Sequence, residues 1–132
     1  MIFKYVKNYE NHLYFVFRVV IGLLFVQHGA QKLFGMFGFQ AVPLTSLFGL
    51  AGIIEFVGGL AIALGFFTRL AALISAIEMI AAYFMVHVSQ GLIPIVNQGE
   101  LALLYFAAFL VITVYGARKL SLEKALLKKE IF

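Results

Sequence analysis

Six titratable side chains lie within or at the edge of long apolar stretches of the sequence, where they could exchange protons with a bound molecule. They are Arg18, His28, Lys32, Glu55, Glu78 and Glu100. An ionisable group in the hydrocarbon of a bilayer is costly, so it usually faces the interior of a helix bundle and has a partner. Glutamate and histidine donate and accept protons, whereas arginine and lysine can stabilise an anion. These residue types therefore point to proton transfer at a binding site, or to hydrogen bonds that hold helices together.

The composition indicates that these residues belong to an integral membrane protein. Of the 132 residues, 64% are hydrophobic and only 12% are charged, and the mean hydropathy is +1.03. A soluble domain has about 25% charged residues. The net charge of +4 comes from basic residues near the two ends of the chain, so no basic face is available for nucleic acid. The chain has no cysteine, which excludes thiol–disulfide exchange and iron–sulfur ligation by its own side chains.

Four apolar segments have the length of membrane-spanning helices. They cover residues 13–36, 46–67, 69–88 and 100–117. A helix needs about 20 residues to cross the hydrocarbon core, and no segment alternates with period two as a barrel strand would. Pro43 and Pro94 fall between segments, where they do not interrupt a helix. We therefore predict an all-α, integral membrane four-helix bundle in which residues 1–132 form a single domain.

The distribution of lysine and arginine predicts the orientation. Basic residues precede the first segment, occupy the middle turn at Arg69 and follow the last segment, whereas loops 37–45 and 89–99 have none. Because basic loops remain in the cytoplasm, we expect both termini on the cytoplasmic side of the plasma membrane (a cell inner membrane), with Arg69 as a topology anchor. We expect tail 118–132 to form an amphipathic helix on the membrane surface. A cleaved signal peptide is disfavoured because Arg18 interrupts the apolar region.

Three of the titratable groups are predicted to lie at one depth, each on a different helix. At about 1.5 Å per residue from the outer end of each span, His28, Glu55 and Glu78 lie about 12, 14 and 15 Å deep. The three ionisable residues of the first span, Arg18, His28 and Lys32, share one helix face. Small residues accompany both glutamates and would let the helices approach closely. We therefore expect these three groups to form one buried polar cluster with Lys32 and Glu100, and we expect Arg18 to belong to the same polar core.

Other uses of the same residues remain open. The two mid-span glutamates could have a purely structural role, in which they stabilise the bundle by hydrogen bonds between helices. Together with His28 they could bind a non-haem iron, although no H-x-x-x-H or E-x-x-H spacing supports a metal site. The ammonium group of Lys32 could extend toward the lipid headgroups. His87 and Glu100 could be solvated residues at the membrane boundary.

The order of several short motifs resembles the DoxX family of small four-helix membrane proteins. The resemblance covers residues 16–116 and is carried by "RVVIGLLFVQHGAQKLFG", "GLAGIIEFVGGLAIALGFFTRLAALISAIEMIAAYF" and "NQGELALLYFAAFLVI". The family's first-span Arg and its H-G-x-x-K, E-x-x-G-G, T-R and N-x-G-E motifs fall on Arg18, His28, Gly29, Lys32, Glu55, Gly58, Gly59, Thr68, Arg69, Asn97, Gly99 and Glu100. Members often end with a Gly-Pro-Gly turn and Ser-Leu-Asp, whereas this chain lacks that proline and has Glu123 in place of the Asp.

The resemblance implies a link to membrane redox chemistry. The family is named after a membrane subunit associated with thiosulfate:quinone oxidoreductase, and other members are linked to redox-stress complexes, to quinone or catechol resistance and to maturation of periplasmic redox proteins. A member without cysteine cannot perform thiol chemistry itself, and this chain has no self-sufficient catalytic motif. If it acts in a redox pathway, we expect it to bind a lipid-soluble quinone or partner redox subunits.

Three classes of function follow. In the first, a quinone-handling subunit uses Glu55, Glu78 and His28 to transfer protons, and aromatic residues flank the ring. The aromatic candidates are Phe25, Phe34, Phe56 and Tyr83. In the second, the protein is a non-enzymatic membrane scaffold or assembly factor whose basic tail contacts lipid or a partner. In the third, it is a small-molecule or proton transporter, which would require a homo-oligomer because four short helices leave little room for a water-filled path.

Overall fold

The computed structural model describes residues 1–132 and is all-helical, without strands, as the sequence predicts. Seven helices follow one another: α1 (Ile2–Asn8), α2 (Glu10–Phe34), α3 (Leu47–Leu64), α4 (Thr68–Gln90), α5 (Pro94–Asn97), α6 (Glu100–Tyr115) and α7 (Leu122–Leu127). Helices α2, α3 and α4 are long and apolar enough to cross a membrane, with 25, 18 and 23 residues. Helix α6 is apolar but shorter, at 16 residues. The architecture is that of a membrane helix bundle.

Glycines set the ends of two of the long helices. Gly35 and Gly65 adopt left-handed conformations with φ of 63° and 75°, and the N–H of each bonds to a carbonyl in the last turn of its helix. A left-handed residue is a common helix terminator, and glycine adopts it without a steric penalty. Helix α3 therefore ends at Leu64, three residues before the end of the predicted apolar segment.

The helices pack in two closely associated pairs, α2 with α3 and α4 with α6. Gly22 of α2 faces Gly59 of α3, and a Cβ atom on either would lie 2.7 Å from a backbone oxygen of the other. The two backbones can approach this closely only because neither residue has a side chain. Between the pairs lies an aromatic core, in which the rings of Phe25 and Phe109 are 4.7 Å apart.

The C-terminal tail folds back against the turn between α3 and α4. Its helix covers only Leu122–Leu127, shorter than the predicted tail helix, and is capped by the Ser121 side chain. Glu123 is fully buried, and its backbone N–H donates to the Gly65 carbonyl at 3.1 Å. Burial of a charged residue is not expected for a helix that only lies on a membrane surface.

Candidate functional site

A cavity of about 270 Å³ lies between α2, α3, α4 and α6, and four of the predicted polar residues line it. These are His28, Lys32, Glu55 and Glu78. Hydrophobic residues make up most of the remaining wall. The other lining residues are Phe25, Phe48, Ala51, Met79, Ala82, Val86, His87, Gln98, Leu101, Ala102 and Tyr105. The cavity therefore brings a small group of polar side chains together in largely apolar surroundings.

Lys32 and Glu55 form an ion pair across the α2–α3 interface. The Lys32 Nζ atom lies 2.9 Å from Glu55 Oε1 and 2.7 Å from Oε2, so both oxygens accept from one ammonium group. The Glu55 side chain is 5% exposed and that of Lys32 is 19% exposed. A Cβ atom on Gly52 would lie 2.9 Å from Lys32 Cβ, so this glycine leaves the space through which the lysine passes. Lys32 is thus directed at the glutamate rather than toward the headgroups.

The Glu78 carboxyl group faces Glu55 from the opposite helix. Both Glu78 oxygens are buried and receive no hydrogen bond from a protein donor. Both carboxyl groups line the same small cavity, and the Lys32 ammonium group pairs with Glu55 and not with Glu78. Two ionised carboxylates that share an apolar site repel each other, which favours a proton on one of them. Glu55 and Glu78 therefore form a carboxyl pair in one cavity, and only Glu55 has a charged partner there.

One π-helical segment contains Glu55 of this carboxyl pair, and a second follows Glu78. Glu55 lies in the segment Ile54–Gly58 of α3, and the segment Tyr83–His87 follows one turn after Glu78 in α4. A π segment inserts one extra residue into an α-helix, which changes the direction of the side chains that follow, and such segments are frequent at functional sites. Counting residues at a fixed 100° per residue does not reveal them.

His28 contributes an imidazole ring next to a buried tyrosine that the sequence argument missed. The ring of His28 lies 5.8 Å from that of Tyr105 in an edge-to-face arrangement. Tyr105 is 4% exposed and stacks on Phe109 at 5.7 Å. Its position in the middle of an otherwise apolar span could have identified Tyr105 as a candidate site residue, since a buried tyrosine hydroxyl group needs a polar partner.

Only one of the four predicted aromatic candidates lines the cavity. That residue is Phe25, while Phe34 and Phe56 pack edge-to-face against each other at 5.3 Å outside the lining. The Tyr83 hydroxyl group instead accepts from the Asn97 side chain at 3.3 Å. His87 also lines the cavity, and its Nδ1 atom is 3.0 Å from the Asn97 carbonyl oxygen.

Arg18 and Glu100 lie apart from the polar cluster, contrary to the prediction. Arg18 is fully buried but binds backbone carbonyls, with Nη1 at 2.6 Å from the Ile62 oxygen and Nη2 at 2.5 Å from the Leu120 oxygen. It shares a helix face with His28 but lies about 15 Å lower along the helix, as ten residues at about 1.5 Å imply. Glu100 is exposed in the first turn of α6, where a negative charge interacts favourably with the helix dipole.

Arg69 joins the start of α4 to the end of α6 and to the tail. Its guanidinium group donates to the carbonyls of Thr113, at 3.0 Å, and of Val114. It also pairs with Glu130 at 3.4 Å. No group of three or more His, Cys, Asp or Glu side chains in the structure has an arrangement that could hold a metal ion.

The comparisons with known proteins agree with the motifs that line this cavity. The sequence profile of the DoxX family matches residues 13–88, which include His28, Lys32, Glu55 and Glu78. An uncharacterized protein of Haemophilus influenzae is 37% identical over 130 residues, which cover 93% of this chain and 97% of that protein. No solved structure matches the sequence significantly. The chain belongs to the DoxX family of membrane proteins.

Proposed function

We propose that this protein binds a membrane quinone in the cavity and acts as the quinone-interacting subunit of a redox complex. The observation that carries the proposal is the carboxyl pair of Glu55 and Glu78 in the apolar cavity. This pair is suited to hold a proton, and the Lys32 ammonium group lies beside it. Ligand sites are typically apolar pockets with a few convergent polar groups. The family's association with quinone chemistry supports the same assignment.

The chemistry of a quinone fits the donors on the cavity wall. A quinone ring is flat and apolar on both faces, and its two carbonyl oxygens accept hydrogen bonds. The ring would pack against Phe25 and Tyr105, and Lys32 would donate to one carbonyl oxygen. Reduction to the quinol adds two electrons and two protons. The carboxyl pair and His28 would supply protons, while the electrons would come from a partner redox subunit.

We further propose that α2, α3, α4 and α6 all cross the plasma membrane, with both termini in the cytoplasm. Support comes from the absence of Lys and Arg in loops 37–45 and 89–99. At about 1.5 Å per residue, the 16 residues of α6 span about 24 Å, which is less than the hydrocarbon thickness of about 30 Å. Local thinning of the bilayer around α6 would make up the difference.

Extraction of purified protein with organic solvent tests the proposal. We expect about one quinone per chain from protein purified in mild detergent, and loss of the quinone in Glu55→Gln and Glu78→Gln. Glu100→Gln is the matched control, because Glu100 is exposed and lies outside the cavity. A folded wild-type protein that retains no quinone and binds none when it is added would contradict the proposal and favour the scaffold function.

A further inference from the structure

An apolar groove runs along the outside of the bundle between α3 and α4. Its volume is about 450 Å³, and every residue that lines it except Glu78 is hydrophobic. Several of its lining side chains are exposed at the surface of the protein, among them Leu47, Leu50, Ile77 and Met85. In a membrane this groove faces the lipid chains.

The groove adjoins the polar cavity. Five residues line both spaces: Phe48, Ala51, Glu78, Ala82 and Val86. The two spaces are therefore separated by a single layer of side chains, which includes two alanines. Glu78 is at the junction, and its carboxyl oxygens are buried and without a protein donor.

The sizes of the two spaces favour a ligand that occupies both. The cavity alone, at about 270 Å³, is smaller than typical pockets for drug-sized ligands, which measure about 300–1,000 Å³. The groove supplies additional volume, and its lining suits a hydrocarbon chain rather than a polar group. A molecule with a compact polar head and a long apolar tail matches this division.

We propose that the groove between α3 and α4 holds the apolar tail of a quinone that enters laterally from the bilayer, with its ring in the polar cavity. This inference rests on the proposed function and adds the ligand's route of entry and the residues that contact its tail. Ala81 lines the groove but not the cavity, so a larger side chain there would fill the tail site without touching the ring site.

A second groove between the same helices provides an internal control. It also measures about 450 Å³ and is lined almost entirely by hydrophobic residues, Ala71 among them. None of its lining residues lines the polar cavity. Filling it therefore changes another part of the surface of α3 and α4 without blocking access to the cavity.

The test compares two quinones on three proteins. Calorimetry in detergent would measure the binding of decylubiquinone, and of a ring-matched quinone without the decyl chain, to the wild type, Ala81→Phe and Ala71→Phe. We expect Ala81→Phe to weaken decylubiquinone binding about tenfold, or about 1.4 kcal/mol, and to leave the binding of the tail-free quinone unchanged. Ala71→Phe should alter neither. Ala81→Leu would replace Ala81→Phe if the larger side chain prevents folding, with a smaller effect in the same direction.

The outcomes separate the two proposals. If the wild type binds both quinones and Ala81→Phe leaves both affinities unchanged, the tail site would be overturned. The cavity would then remain the proposed site of the ring. An equal loss in Ala81→Phe and Ala71→Phe would also overturn the tail site, since it would show a general effect of the lipid-facing surface. Failure of the folded wild-type protein to bind either quinone would overturn both proposals.

Discussion

Lys32→Met removes the ammonium group that pairs with Glu55 and keeps a flexible side chain of similar length. The wild-type contact joins one nitrogen to two oxygens at 2.9 and 2.7 Å, and the Glu55 side chain is 5% exposed. Without the Lys32 ammonium group, Glu55 must remain charged in the apolar cavity or take up a proton. Either response raises the free energy of the folded state, so we expect the variant to be less stable.

The expected magnitude follows from the burial of the pair. Removing one partner of a buried ion pair typically costs about 3–5 kcal/mol, because the remaining charge is not compensated. Lys32 is 19% exposed, so we expect the lower end of that range for Lys32→Met. The double variant Lys32→Met/Glu55→Gln leaves no charge behind, and we expect it to recover at least about 1 kcal/mol relative to the sum of the single variants.

Titration with a denaturing detergent, followed by circular dichroism, would measure the free energy of unfolding. Arg118→Met is the matched control, since the Arg118–Glu10 pair is also between a base and a glutamate but is 28% and 44% exposed. An exposed pair contributes about 0–1 kcal/mol. If Lys32→Met cost no more than Arg118→Met, or if the double variant showed no recovery, the buried ion pair would not stabilise the bundle and the reasoning would be refuted.

Three further predictions concern the helix contacts and the orientation. Gly22→Ala should destabilise the bundle by about 1–3 kcal/mol, because its Cβ atom would lie 2.7 Å from backbone atoms of α3. The same detergent titration would measure this loss. An unchanged unfolding midpoint would show that α2 and α3 can move apart without a cost in free energy. Arg18→Met should lower the free energy of unfolding by about 2–3 kcal/mol, since it leaves the buried carbonyls of α3 and of residue 120 without their charged donor. A variant as stable as the wild type would contradict that role of Arg18. Because the chain has no cysteine, Leu92→Cys and Lys128→Cys provide single thiols at exposed positions. A membrane-impermeant maleimide should label Leu92→Cys from outside intact cells and Lys128→Cys only after lysis, and the reverse pattern would invert the proposed topology.

The fold class could be predicted from the sequence because hydropathy and length alone determine it. The helix ends follow from local signals at Gly35 and Gly65, where the chain adopts a left-handed conformation. The tail was less predictable. The burial of Glu123 depends on the position of the turn between α3 and α4, which no local pattern encodes.

The site could be predicted only in part. Depth along each helix brought His28, Glu55 and Glu78 to one level, and these residues do line one cavity in the structure. Arg18 shares a helix face with His28 but does not line the cavity, because a face extends along the whole helix. Its guanidinium group instead donates to carbonyls near the end of α3. The π segment around Glu55 could not be predicted, because the apolar pattern is too uniform to reveal one extra residue in a turn.

Labelling with a photoreactive quinone tests the proposal that the polar cavity binds quinone most directly. The purified protein would be illuminated with the analogue in detergent, digested and mapped by mass spectrometry, with and without an excess of unlabelled quinone. We predict labelling of cavity residues such as Met79 or Tyr105, removed by the competitor and absent in Glu78→Gln. Labelling confined to lipid-facing residues such as Val114, without competition, would contradict quinone binding in the cavity.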